Sequence, residues 1–397
     1  MLIGLVGRPN VGKSTFFKAA TLADVLIANY PFATIKPNTG MAYAKIEDLA
    51  PEFGKVANPR EGFVKNGDGV KGKWRFVPFL LMDVAGLVEG ASEGKGLGNE
   101  FLNDLAGADA FIHVVDMSGE TDSEGKPAEN CYPGEDLGVI ENELDKWYYG
   151  ILIKVWKNFA RTVEMQKQKL SDAIAKQFSG LKVREDDVKE IISNWRFDGE
   201  KPTSWKDGEV FRFARELRRH TKPMIIAANK MDRSKSKENL ERMKEEFDYP
   251  IVPCFAEGEL ALREADKSGL IDYVAGSSSF EIKGKLNEKQ KVALSEIKKV
   301  LNEYGSSGVQ EILNEVVFGM LGMIAVFPAG DKLEDSKGNV LPDCYLMEKG
   351  STALDFAYRL HSDIGDGFVK AVHVKTKRAV GKDYVLKHRD GLEIMVK

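Results

Sequence analysis

The chain is short of the residues that build disulfide frames, metal clusters and membrane spans. It holds three cysteines in 397 residues, Cys131, Cys254 and Cys344. They are odd in number, far apart and never in a C-x-x-C pair, which points to reduced thiols rather than a disulfide scaffold or zinc ribbon. Five histidines are present; His361 and His373 lack neighbouring ligand types at metal spacing and read as structural or RNA-facing. Neither sign of charge dominates, since 57 Lys and Arg against 61 Asp and Glu leave a net charge of −4. Contact with nucleic acid, if made, is therefore local. The longest apolar run, 316–327, is broken by two glycines and falls short of the roughly 20 residues of a membrane helix. It reads as a buried helix end leading into a strand. A glycine-rich motif at Gly7 leaves no room ahead of it for a secretory leader, so a cytoplasmic location is expected.

What is present is more specific. Residues 7–14 read Gly-Arg-Pro-Asn-Val-Gly-Lys-Ser, a G-x-x-x-x-G-K-[ST] loop between the apolar run at 2–6 and the helix start at Thr15. Backbone N–H groups and a helix N-terminus must converge on polyphosphate oxygens, and this placement supplies both. Gly7, Arg8, Pro9, Asn10, Val11, Gly12, Lys13, Ser14 and Thr15 are accordingly expected at a nucleotide, with Lys13 reaching the β- and γ-phosphates and Ser14 ligating Mg²⁺.

A chain of this length exceeds a usual single domain, so two or three cores are expected. Apolar runs at 2–6, 76–83, 110–116, 223–228 and 251–255 suit a parallel sheet covered on both faces. Between the third and fourth runs, Ile140, Leu144, Trp147, Ile151, Val155, Phe159, Val163, Leu170, Ile174 and Phe178 recur at helical steps. They predict one long amphipathic helix of about 60 Å at roughly 1.5 Å per residue. Its stretch 146–184 carries nine Lys and Arg against Glu164 and Asp172, which suits either RNA phosphates or a solvated helix face. After Phe255 the chain reads as helical and charged over 281–304 and again over 309–318. From about Ala325 the pattern changes to short strands at 371–374 and 392–396, with a helix over 352–360 that Ser351 is placed to cap.

Two further motifs narrow the chemistry. Asp83-Val84-Ala85-Gly86 follows a strand-like run, so Asp83 can hold the Mg²⁺ shell while the Gly86 N–H approaches a γ-phosphate. Asn229-Lys230-Met231-Asp232 follows another. The Asp232 carboxylate can accept from the guanine N1–H and 2-amino group together, a donor pair that adenine lacks.

In this order the motifs resemble the G1 to G4 boxes of translation-factor-class GTPases. Residues 29–40 resemble the switch I of the Obg family and 86–102 its switch II, while the insertion and C-terminal segment resemble the YchF-like branch. ATP-using members of that branch lack the guanine-selecting Asp present here. The resemblance implies that Thr34 senses Mg²⁺ and γ-phosphate and that Ala256, in Phe255-Ala256-Glu257, offers its N–H to the guanine. Phe255 departs from the family's Ser at that box. Leu87 stands where Ras-like enzymes carry the water-orienting Gln, so slow intrinsic turnover is expected. Asn10 matches an asparagine that coordinates K⁺ in related GTPases; a side chain bracing the loop is the other reading. Gly90, Gly94, Gly96 and Gly98 make switch II permissive in backbone conformation. Residues 350–361 and 388–394 resemble a TGS domain, a small β-grasp fold. Seven Lys and Arg over 370–389 against Asp383 give it a local basic surface suited to RNA or a partner protein.

The expected fold is therefore α/β, a doubly wound, mainly parallel P-loop GTPase sheet with an inserted α-helical, coiled-coil-like domain and a C-terminal TGS domain. The expected limits are 1–118 with 212–324, then 119–211, and 325–397. The expected function is Mg²⁺-dependent GTP hydrolysis in a molecular switch acting on the ribosome or RNA, with catalytic weight on Lys13, Thr34, Gly86 and Asn10. Ser14, Thr34 and Asp83 would organise Mg²⁺, and Asn229, Lys230, Asp232 and Ala256 the base. A monomer is favoured and no membrane contact is expected. A constitutive RNA-binding scaffold and a metabolic phosphotransferase are the alternatives, the second disfavoured by the absence of an acid–base pair in an acceptor pocket.

Overall fold

A computed structural model of the chain describes residues 1–21, 39–84, 90, 105–122, 126–330 and 332–397. Thr34, Gly86, Leu87, Gly94, Gly96 and Gly98, with most of both switch-like segments, lie outside the described residues. In chain order the first body holds β1 (Leu2–Val6), α1 (Lys13–Thr21), β2 (Thr39–Glu47), β3 (Phe63–Gly67), β4 (Val70–Asp83) and β5 (Ala110–Asp116). Four helices follow: α2 (Gly134–Gln166), α3 (Leu170–Gln177), α4 (Glu185–Trp195) and α5 (Asp207–Thr221). The sheet then resumes with β6 (Met224–Asn229), α6 (Ser236–Glu246), β7 (Ile251–Pro253) and α7 (Ala256–Lys267). The small strands β8 (Ile271–Asp272) and β9 (Glu281–Ile282) lead to α8 (Glu288–Tyr304) and α9 (Val309–Asn314). The C-terminal body comprises β10 (Met323–Pro328), β11 (Tyr345–Glu348), α10 (Ala353–Leu360), α11 (Ser362–Asp366), β12 (Phe368–His373), β13 (Ala379–Val380) and β14 (Asp390–Val396).

The first sheet runs β2-β4-β1-β5-β6-β7, with β3 beside β4. The pairs from β4 through β7 are parallel, whereas β2 and β3 run antiparallel to β4. β1, β5 and β6 are apolar on both faces because helices cover both: one face packs on α1 and α9, the other on α2 and α5. The strand order reverses about β1, and ligands of open α/β sheets sit outside the carboxyl ends of the strands at such a point.

The helical periodicity does not describe one rod. α2 is 33 residues long and stops at Lys167, whose φ of 49° is left-handed and whose N–H donates to the Glu164 carbonyl. Gln168 N–H returns to the Val163 carbonyl at 3.0 Å, closing the end in a Schellman-type cap. The apolar repeat continues into α3 because both helices bury it in one core, which also takes in the sheet residues Phe111 and Val115. Near 281 the chain is a strand, and α8 starts only at Glu288, where Asn287 accepts from Gln290 N–H. Thr352, not Ser351, caps α10: its hydroxyl accepts from Asp355 N–H and the Asp355 carboxylate accepts from Thr352 N–H.

The five-stranded C-terminal sheet, β11-β10-β14-β12-β13, is docked on the first body through a dry seam. Ile46, Leu49, Ala50 and Val77 pack there against Ala325, Phe327, Leu341 and Val374. Arg75 is 1% exposed and donates to the carbonyls of Leu341 and Pro342, each at 3.0 Å. Arg389 donates to Glu52 at 2.5 Å and Lys375 pairs with it at 2.7 Å. Two of the seven cations of the expected basic surface are thus held in this seam. His373 is buried against Asp390 at 3.1 Å and is structural.

Candidate nucleotide site

The phosphate loop and the motifs at Asp83 and Asn229 follow strands that end at the same edge of the sheet, and β5 ends beside them at Asp116. Val6, Asp83, Asp116 and Asn229 close β1, β4, β5 and β6, with Leu5 beside Asp83 and Asp116 beside Asn229 in register. The loop after β1 needs its glycines: Gly7 has φ 145°, and a Cβ there would lie 2.5 Å from the Val114 carbonyl oxygen. At Gly12, φ 99°, a Cβ would lie 2.3 Å from Asn229 Nδ2. Asn10 takes the left-handed φ of 63° and is exposed.

Lys13 begins α1 and curls back so that its ammonium donates to the Arg8 carbonyl at 2.6 Å. Burial lowers its pKa to about 8, against the pull of the nearby Asp83 carboxylate. Ser14 Oγ donates to Asp83 Oδ2 at 2.9 Å, and burial raises the Asp83 pKa. A half-buried carboxylate whose close partners are one hydroxyl and one ammonium fits a divalent cation, and a Ser–Asp oxygen pair suits Mg²⁺. Among the described residues no group of three or more His, Cys, Asp or Glu forms a metal cluster.

The base-side motif is a brace as much as a binding edge. Asn229 Nδ2 donates to the Val11 carbonyl at 2.9 Å, and its Oδ1 accepts from the Ala256 N–H at 3.1 Å. Both groups had been expected on guanine; here they lock the phosphate loop, β6 and the start of α7 to one another. Lys230, at φ 64°, donates to Asp116 Oδ2 at 2.6 Å. Asp116 also accepts from Ser118 N–H and from the Ser118 and Thr121 hydroxyls. Asp232 remains partly open, its ion pair being with Arg233 at 3.4 Å. It is the member of the motif with a carboxylate edge to offer a base.

Several contacts around the site carried no motif signal. Arg8 is 6% exposed and turns from the loop to pair with Asp136 at the start of α2; burial pushes that carboxyl up to about 6 in spite of the guanidinium. About two turns further along α2, the fully buried Glu143 accepts from the Gly90 N–H at 3.1 Å. His113 on β5 is fully buried, and neither ring nitrogen has a hydrogen-bond partner among the described residues. Burial, with Lys13 and Arg8 nearby, lowers its pKa to about 3, so the imidazole is neutral. Beneath the start of α7, buried Glu259 accepts from Arg263 at 2.5 Å, Ser307 at 2.5 Å and Tyr273 at 2.7 Å. Arg8 was expected at the nucleotide as part of the loop motif, and Asp116 was visible as the last residue of an apolar run; the other partners were not.

Three family models match the chain: a 50S ribosome-binding GTPase over 2–145, an Obg-like GTPase YGR210-like, G4 motif-containing domain over 227–331, and a TGS domain over 323–396. A GTP-binding protein of Methanocaldococcus jannaschii is 47% identical over 397 residues, 99% of this chain and 98% of that one. A protein of Mycoplasma genitalium named ribosome-binding ATPase YchF is 29% identical over 374 residues, 92% of this chain and 86% of that one. The crystal structure of a GTP-binding protein from Pyrococcus horikoshii OT3 superposes with a TM-score of 0.79 at 41% identity, covering 100% of both chains. Among the described residues no helix is long and apolar enough to cross a membrane.

Proposed function

The chain belongs to the Obg-like GTP-binding proteins, in the YchF branch that ends in a TGS domain, and from that premise we propose a Mg²⁺-dependent GTPase that acts as a nucleotide-controlled switch on the ribosome. The observation that carries it is the convergence at one sheet edge of the phosphate loop, the Ser14–Asp83 pair and the open Asp232 carboxylate. Lys13 and the loop N–H groups hold the phosphates. Ser14, Thr34 and Asp83 hold Mg²⁺, which when bound neutralises charge on the β- and γ-phosphates. Asp232 reads the guanine edge, and the Asn229 brace keeps that edge at a fixed distance from the loop. With Leu87 in place of a water-orienting Gln, hydrolysis would be slow, and a K⁺ ion held by Asn10 would add positive charge beside the phosphates.

The ribosomal part is supported by the matched 50S ribosome-binding GTPase model and by the name of the M. genitalium relative. That relative is named an ATPase; Asp232 favours guanine here. Competition of GTP and ATP against a fluorescent nucleotide tests the reading. Wild type should prefer GTP by roughly a hundredfold or more, and Asp232→Ala should bring the ratio close to one. Equal competition by ATP on wild type would contradict it. Cosedimentation with ribosomes in GTP-analogue against GDP separates the switch from a constitutive scaffold, which would bind alike in both.

A further inference from the structure

We infer that the cavity between β3, β4 and α7 is a binding site for a small neutral molecule, one aromatic ring bearing a hydrogen-bond acceptor. The space amounts to about 200 Å³ and is walled by Phe63, Phe76, Tyr273 and Arg263. An apolar cavity of about 150 Å³ holds benzene, and drug-sized ligands occupy about 300 Å³ or more. One ring with a short substituent is therefore the size that fits. At roughly 3.3 Å per residue, Phe76 stands about 23 Å down β4 from Asp83, so the cavity is separate from the nucleotide edge.

The walls suit a flat ring. Phe63 stacks on Phe76 at 4.4 Å between centroids and 11° between planes, and Tyr43 meets the Phe63 ring edge-on at 5.2 Å. Phe76 and Tyr273 are buried, at 1% and 3% exposure. Tyr273 is held by its hydroxyl, which donates to Glu259 at 2.7 Å, and by its N–H, which donates to Asp266 Oδ1 at 3.1 Å. These surfaces are fixed before any ligand arrives, which lowers the ordering cost of binding. Water is a poor occupant, because it needs about two to four polar partners and the ring faces supply none.

One polar group sets what the ring must carry. Arg263 is 7% exposed; its Nε donates to Glu259 at 2.5 Å and its Nη2 to Gln310 at 3.3 Å. Its Nη1 has no hydrogen-bond partner among the described residues. An acceptor on the ligand satisfies that donor, whereas a plain hydrocarbon leaves it unmet. The balance of charge disfavours an ion. Arg263 is answered by Glu259, Lys65 by Asp266 at 2.6 Å, and the exposed Lys267 is engaged as well. An ionised ligand would bring an unbalanced charge into a largely apolar space. Phe63, Lys65 and Asp266 are half-buried, which leaves a way in from solvent between β3 and the end of α7.

The probe is benzamide, a single ring whose carbonyl oxygen accepts, followed by ligand-observed NMR on the full chain with and without saturating GDP and Mg²⁺. A ligand of this size should bind with a Kd of about 1 mM, the same in both conditions. Benzoate and benzylammonium, similar in shape but charged, should bind about fivefold more weakly or worse. Ala275 is 8% exposed and lines the cavity, so Ala275→Leu should fill it and abolish binding. Because a larger side chain there can also disturb folding, Phe63→Ala, at a half-buried position, is the second variant. Loss of the stacked wall should weaken benzamide binding about fivefold. No saturable binding below about 20 mM, equal affinity for the charged analogues, or wild-type affinity in either folded variant overturns the site. So does binding that is lost when GDP is added, which places the probe in the nucleotide pocket instead.

Discussion

Burial lowers the Lys13 ammonium to about 8, and phosphate oxygens beside it restore the charged form. Because the folded-state pKa lies below its ordinary 10.5, the folded chain binds fewer protons than the unfolded chain between those values. Its stability therefore gains as pH rises through that window. Nucleotide binding near pH 8 should take up about half a proton at this residue. Titration calorimetry at pH 8 in buffers of different ionisation enthalpy measures the uptake, and Lys13→Met should abolish it. A binding enthalpy independent of buffer would contradict the assignment. Lys13, Ser14, Asp83 and Asp232 were legible in the sequence because each belongs to a short motif whose spacing is fixed by the ligand. The roles of Asn229 and Arg8 were not. Val11, which Asn229 holds, lies 218 residues away, and Asp136, which Arg8 meets, lies 128 away; no local pattern encodes such pairings.

At the scale of the element, α2 shows where periodicity informs and where it fails. The repeat of apolar residues located the helix and its buried side. It ran on past the end because the stop at Lys167 is a lysine in a left-handed conformation, with neither Gly nor Pro to announce it. The start of the same helix is fixed by the Arg8–Asp136 pair, both members largely buried. Asp136→Ala leaves a buried guanidinium without its partner and should cost about 3 kcal/mol. Urea unfolding of the full chain reads this as a lower midpoint at unchanged slope; a loss below about 1 kcal/mol would mean that Arg8 finds another acceptor. Further along, the capping pair Thr352–Asp355 was misplaced by one residue, an ordinary error where two adjacent hydroxyl residues, Ser351 and Thr352, compete for one cap.

For the whole molecule, the sequence marked three regions by composition and did not reveal how they join. The seam between the first sheet and the C-terminal sheet depends on Arg75, whose acceptor Leu341 is 266 residues distant. Arg75→Ala strands the buried Leu341 carbonyl, while the Pro342 carbonyl keeps the Arg60 N–H and Asp48 keeps the Ala50 N–H, and should destabilise the chain by about 2 kcal/mol. Thermal unfolding gives the loss, and limited proteolysis between 320 and 345 shows whether the seam opens first. Removing the C-terminal body altogether would uncover Ile46, Leu49 and Val77, so it is not a clean way to ask what that body contacts. The long helix held to the phosphate loop by Arg8 has a further mechanical meaning. α2 counts 33 residues, about 50 Å at 1.5 Å per residue, and is gripped near its origin by Arg8 and, through Glu143, by Gly90. A tilt of about 5° at that grip sweeps its far end through about 4 Å. The protein is thus built as a pointer, with a short arm at the phosphate loop and a long arm ending at the left-handed Lys167.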